Sequence, residues 1–347
     1  TSEPSDPPSP EAGDLLYTYV VGKDARVNSS VSGTTCKACQ GCTSHLQTWG
    51  ESVGIVSNTV SERAFVPPVG RSSSWIFRAS SPKSPSGEAI AKVWCLPFKK
   101  HQNIRVDQCK PAVSNATMAK VGAFNKLAHD CGMEDILAST WVERLRTVMP
   151  HTGYVIDMPA LFSDIAPGVS AKFLAKGKNR KEVLKIFEKI PSDSILKAAI
   201  FDLLVGNCDR HTMNVFVDEH GKLSLIDNDM SLSGKCIANS IFLPGTQYHA
   251  KESLAGAERM LPKTSILDML DYRCHTHRGH VRNNYPPSVR KCLGKINNLP
   301  IKDVQGLYGF PEPRLAQNLK LRAQQLLAMG FEWTLFQSLP IDGGGCA

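Results

Sequence analysis

No uninterrupted apolar run in the 347 residues is long enough to span a bilayer; a representative candidate, Ile195 to Val205, is broken by Lys197 and Asp202. A chain without a transmembrane segment is therefore expected. Aromatic residues are sparse at 7%, and they do not interleave with basic stretches such as Phe98 to His101 and Lys172 to Lys185. The formal net charge of +8 is thus read as solvated basic surface suited to phosphates, not as a nucleic-acid interface, and no nucleic-acid-binding module is recognisable. Internal repeats are also lacking, which excludes solenoid and propeller architectures.

What is present describes a folded chain. Hydrophobic residues make up 42% and charged residues 21%, close to the globular average, and the length suits two ordinary domains or one two-lobed enzyme. Eleven cysteines and two glycosylation sequons, Asn28-Ser29-Ser30 and Asn115-Ala116-Thr117, lean toward an oxidising compartment, either the secretory pathway or outside the cell. The cytoplasm is the alternative. The first residue is Thr1, so a leader or an earlier start is expected upstream.

Three segments follow from the patterning. Residues 1–50 comprise a Pro/Ser-rich leader and a cluster, Cys36, Cys39 and Cys42, whose thiols suit disulfides, or zinc with His45 as a fourth ligand. Residues 51–160 read as a small β-rich lobe: strands at Trp75 to Phe77 and Ala89 to Trp94, one amphipathic helix from Thr117 to Cys131, then strands at Trp141 to Val148 and Gly153 to Met158. Pro159 and Pro167-Gly168 mark a hinge. Residues 161–347 read as a larger helical lobe, with helices at Lys181 to Ile190, Ser192 to Val205 and Leu315 to Met329. A short hairpin joins Val215–Val217 to Leu223–Ile226. The expected fold class is α+β.

The chemistry concentrates in Gly206-Asn207-Cys208-Asp209-Arg210-His211-Thr212-Met213-Asn214 and Leu225-Ile226-Asp227-Asn228-Asp229. Phosphoryl transfer needs a carboxylate beside the acceptor hydroxyl and oxygen ligands that hold metal on the phosphates. Asp209, Asn214 and Asp227 supply those groups, and a hairpin between Asn214 and Asp227 brings the last two to one end.

This arrangement resembles the atypical kinases related to the phosphatidylinositol 3- and 4-kinases, with a catalytic loop of the form Asp-Arg-His-x-x-Asn ahead of an Ile-Asp metal motif. It is also similar in order to the secretory-pathway and actin-fragmin-type kinases. The match runs over Asp209, Arg210, His211, Asn214, Ile226 and Asp227. The resemblance implies a bilobal kinase-like fold and transfer of the γ-phosphate of ATP, with Mg or Mn, to a protein hydroxyl. A lipid or sugar acceptor is one alternative, and a pseudokinase that binds nucleotide or a partner is another. It implies Asp209 as the catalytic base or acceptor-orienting carboxylate, with Arg210 and His211 in the catalytic loop, His211 as a structural element of that loop rather than the base, Asn214 and Asp227 as metal ligands, and Lys92 as phosphate ligand. Gly70, Ser72 and Ser73 fall in the turn that would cover the nucleotide, although Val69 to Ser74 is not Gly-rich. Two further departures stand out. Asn228 and Asp229 follow the metal Asp in place of an aromatic and Gly. Where secretory kinases carry a helix Glu before an apolar-Ala-Ala-Phe run, this chain has Lys120 before Val121-Gly122-Ala123-Phe124, with Glu134 as an alternative acidic partner.

Overall fold

Alternation of small and larger side chains along Glu88-Ala89-Ile90-Ala91-Lys92 lets one face of a strand press against a core while the other carries polar groups. In the computed structural model, which describes residues 60–65, 75–93, 111–148, 155–177, 180–232, 238–246 and 269–339, this segment is the centre of a sheet. The chain is mixed α+β and divides into two compact units, Thr1–Met118 with Thr140–Ile165 and Ala119–Ser139 with Ala166–Ala347.

The first unit holds strands β1 (Val60–Phe65), β2 (Trp75–Ser80) and β3 (Glu88–Val93), the start of helix α1 (Pro111–Cys131), then β4 (Thr140–Val148) and β5 (Val155–Asp164). The five strands form one antiparallel sheet in the order β1-β2-β3-β5-β4. The Ser/Pro/Gly-rich connection after β2 closes through Ser81 N–H to Gly87 O at 3.0 Å, with Gly87 at φ 75°, where a side chain would be strained. Ser84 Oγ donates to Asp164 Oδ1 at 2.9 Å and ties that turn to the end of β5. Ala89 and Ala91 are buried on one face; Lys92, opposite Ile76 and Leu161, lies on the other.

Two expectations need correction here. β5 runs through Pro159 to Asp164, so the expected hinge at Pro159 is part of a strand. Pro159 lies outside the ladder with β3, which covers only Leu161 to Asp164, and is flanked at that point by β4 alone, opposite Arg144, so its missing N–H breaks no bond to β3. Residues 161–165 group with the first unit, and α1 from Ala119 onward groups with the second. Helix α1 also starts earlier than its apolar spacing indicates, at Pro111, whose fixed φ suits a first helical turn.

The second unit continues with β6 (Val169–Ser170), α2 (Ala171–Gly177), α3 (Arg180–Phe187), α4 (Ser192–Val205), β7 (Val215–Val217), β8 (Leu223–Leu225), α5 (Pro287–Asn298), α6 (Ile301–Tyr308), α7 (Pro313–Met329) and α8 (Phe331–Gln337). Strands β6-β7-β8 make a small antiparallel sheet. Helix α4 is the centre of the core, with Ile195, Ala198, Ala199, Phe201, Leu203 and Leu204 buried, and it stops at Gly206 in the left-handed region (φ 55°). Phe124 of α1 meets Phe201 edge-on at 6.5 Å and Phe310 at 6.3 Å. Burying each such ring contributes about 1.5–3 kcal/mol. A disulfide between Cys131 and Cys292 joins the end of α1 to α5, and Cys208 is disulfide-bonded as well. The Cys36 to Cys42 cluster, His45 and the Asn28 sequon lie outside the described residues, whereas Asn115 sits exposed on α1.

Candidate functional site

Gly206 ends α4 and turns the chain back on itself; its N–H bonds Leu203 O at 3.3 Å, and Asn207 N–H bonds Asp202 O at 2.9 Å. Arg322 Nη1 donates to Leu203 O at 3.1 Å, placing a cation at the negative end of the helix dipole. Burial pulls that guanidinium down to about 10. Next, Asn207 Oδ1 accepts from Asp209 N–H at 2.9 Å, which sets the direction in which the loop leaves the helix.

The loop is organised by Arg210. Its side chain is fully buried, with Nε 3.2 and 3.1 Å from the two carboxylate oxygens of Asp202 and Nη2 3.1 Å from Oδ1. Nη1 donates to the carbonyls of Asn214, at 3.3 Å, and Ile226, and Nη2 donates to Asn228 Oδ1. Ser240 Oγ completes the cage by donating to Asp202 Oδ2 at 2.7 Å. Burial pushes the Asp202 carboxyl upward, opposed by Arg210 and the Ser240 hydroxyl. One guanidinium therefore ties α4, the loop, the start of β7 and the end of β8 together. The sequence reading put Arg210 among the catalytic groups. With no exposure it cannot touch a reactant, and it acts as a positioning residue.

Around this pin the other loop groups come together. Asn214 Nδ2 donates to Asp209 O at 2.8 Å, and Ile226 N–H donates to Asn214 O at 3.1 Å. His211 caps the short turn Thr212–Asn214: its Nδ1 accepts from Met213 N–H at 3.2 Å. In the neutral ring that leaves the proton on Nε2, which stands 3.8 Å from Asp209 Oδ1. Met213 N–H is thus one backbone partner of His211. The Asp209 side chain is 32% exposed and that of His211 is 27% exposed, so solvent reaches both.

Asp227 has φ 58°, a left-handed conformation that costs a non-glycine residue about 1 kcal/mol or more. It directly follows Ile226, whose N–H and carbonyl are held by Asn214 and Arg210, so the turn out of β8 is imposed by its neighbours. Because Nδ2 of Asn214 is committed to Asp209 O, its Oδ1 is the atom left to offer a cation. Asn214 Oδ1 and the Asp227 carboxylate are the oxygen groups at the two ends of the hairpin, and one or two protein oxygen ligands are what Mg commonly takes alongside phosphates and water. Among the described residues no three His, Cys, Asp or Glu side chains converge as a metal cage.

Lys120, on α1, donates from Nζ to the carbonyl of Asp229. Burial lowers its pKa, against the opposing fields of Asp229 and Glu312. Glu134 is exposed on the turn Glu134–Ile136. Lys92 lies partly buried on β3 in the first unit, and Gly70, Ser72 and Ser73 fall outside the described residues.

Sequence reasoning missed Asp202, Ser240 and Asn228 as the cage of Arg210. Asp202 did carry a signal, an acid inside the apolar stripe of α4; Ser240 carried none. No family model matches this chain, and no curated protein matches it.

Proposed function

We propose that the chain is an ATP-dependent phosphotransferase of bilobal kinase-like fold that moves the γ-phosphate to a protein Ser or Thr hydroxyl. The observation that carries this reading is the buried Arg210 pin. It holds the backbone of Asn214 and Ile226 at one hairpin end, beside the partly exposed side chains of Asp209 and Asp227. Asp209 accepts the proton of the attacking hydroxyl, and His211 Nε2 faces its carboxylate to hold it in orientation. Asn214 and Asp227 would hold Mg or Mn, which when bound supplies charge compensation to the phosphate oxygens. Lys92 is assigned to a phosphate from its place on β3 after the Ser81–Gly87 turn. Two disulfide-bonded sites, Cys131–Cys292 and Cys208, support an oxidising compartment.

A second reading, a nucleotide- or partner-binding pseudokinase, is favoured by one feature: Lys120 rather than a carboxylate contacts the segment after Asp227. Labelled ATP with Mg or Mn and a panel of protein, lipid and sugar acceptors separates the two. Phosphate transfer that is lost in Asp227→Ala is expected. Nucleotide binding with no turnover on any acceptor would leave the pseudokinase.

A further inference from the structure

From Tyr272 to Lys302 the chain contains no Asp or Glu but seven Lys or Arg and three His. In the second unit the first part of this stretch folds as two tight turns, Tyr272–His275 and His277–Gly279, followed by extended backbone at His280 and a further turn at Arg282. Some of the charge is internally matched. Arg273 is held by Asp271, with Nη2 2.7 Å from Oδ2, and Lys295 is held by Asp130 at 2.8 Å. His275 is engaged with Met269 O and Ser192 Oγ. Arg278, Arg282, Arg290 and Lys291 are exposed, and among the described residues none of them has a carboxylate within salt-bridge distance.

Glu332, at the start of α8, is an acid beside this passage, and it is already committed. Its two oxygens accept from Val281 N–H at 2.6 Å and Arg282 N–H at 2.9 Å, with His280 Nδ1 4.0 Å away. Arg282 O in turn accepts from Phe331 N–H at 2.9 Å, so the basic passage is stitched to α8 by three hydrogen bonds. Arg278 and Arg282 both occupy the left-handed region, at φ 57° and 52°. That backbone favours Gly or Asn, and the chain places a long cation there instead.

Beside the cations lie exposed apolar groups. Phe336 follows Glu332 by one helical turn and is therefore on the same side of α8; it is 69% exposed, and Trp333 is 39% exposed. We propose that this surface, the cationic turns from Arg273 to Arg282 with Phe336 and Trp333 of α8, docks an acidic peptide segment that also carries apolar side chains. Guanidinium groups suit the planar carboxylates of such a segment, and its apolar side chains cover rings that a sulfated polysaccharide has less use for. Nothing in this inference requires phosphotransfer.

The test uses the full chain and fluorescein-labelled peptides. One repeats Glu-Leu-Asp-Glu, one has the same charge with Ser in place of Leu, and heparin serves as the polysaccharide arm. The Leu-bearing peptide should bind with an affinity that falls steeply with salt. Arg278→Asn with Arg282→Asn, chosen to keep the left-handed backbone, should weaken it about tenfold or more, the loss of two charge-assisted contacts. Phe336→Ser should weaken the Leu peptide by about threefold while leaving heparin unchanged. Thermal melting of both variants reports whether they fold, and the Ser-for-Leu comparison on the unaltered chain stands without them. Equal binding of the Leu and Ser peptides, or tighter binding of heparin that Phe336→Ser does not touch, would give the surface to a polysaccharide and overturn the proposal. So would peptide binding that the paired Arg variants do not change.

Discussion

The residue with most control over the candidate site is the one that cannot reach a substrate. Removing Arg210 leaves the Asp202 carboxylate buried without its partner, so Arg210→Met should destabilise the second unit by about 3–5 kcal/mol, read from the midpoint of urea unfolding. Pairing it with Asp202→Leu should recover much of that loss, since neither charge is then stranded. Activity should not return in the double variant, because the Asn214 and Ile226 carbonyls have lost their common donor. A double variant with normal turnover would remove Arg210 from any positioning role. Asp209 is tested differently: Asp209→Asn should lower kcat about a hundredfold or more with ATP affinity nearly unchanged. An equal loss of nucleotide binding would make Asp209 structural. The grouping of Asp209, Asn214 and Asp227 was legible because it depends on short spacings and one hairpin. The role of Arg210 was not, because its cage is drawn from Asp202, Asn228 and Ser240, and only packing brings those together.

Elements were legible where their ends carry chemical punctuation. Helix α4 was expected at Ser192 to Val205 and lies there, since Pro191 precedes it and Gly206 takes the left-handed exit. Strand β5 was cut short in the reading because Pro159 counts as a breaker until the partner strand is known. The junction between α1, α5 and α6 holds a titratable device. Burial raises the Asp130 carboxyl, but hydrogen bonds from Lys295 and Tyr308 outweigh it and hold the group below its ordinary value. A depressed folded-state pKa contributes stability that is present above the unfolded value, about 3.9, and is lost as pH falls through the folded value. Wild-type Tm should therefore fall more steeply on acidification below about pH 4 than that of Asp130→Asn. Parallel Tm curves would discount the Asp130 contacts.

At the scale of the molecule, the mixed α+β class and a division into two units could be read from composition shifts, whereas the assignment of α1 mainly to the second unit could not. Its apolar face fits either side until Phe124 is seen against Phe201 and Phe310. The proposed acceptor preference also belongs here. From Asp227 to Leu243 the sequence has one cation, Lys235, too few to hold a headgroup bearing several phosphates. In a side-by-side assay, protein acceptors should exceed phosphorylated inositol lipids, and the reverse order would sink the protein-kinase reading. The Cys131–Cys292 bond has a consequence for how the chain is made. The two cysteines are 161 positions apart, so everything from Gly132 to Lys291, including Asp209 and Asp227, must be synthesised before the ring can be sealed. On a ribosome adding about 5–20 residues per second, Cys131 spends on the order of ten seconds or more as an unsealed thiol. A pulse-chase in the presence of an alkylating agent should catch nascent chains with that thiol open, and should find it protected only once Cys292 has emerged.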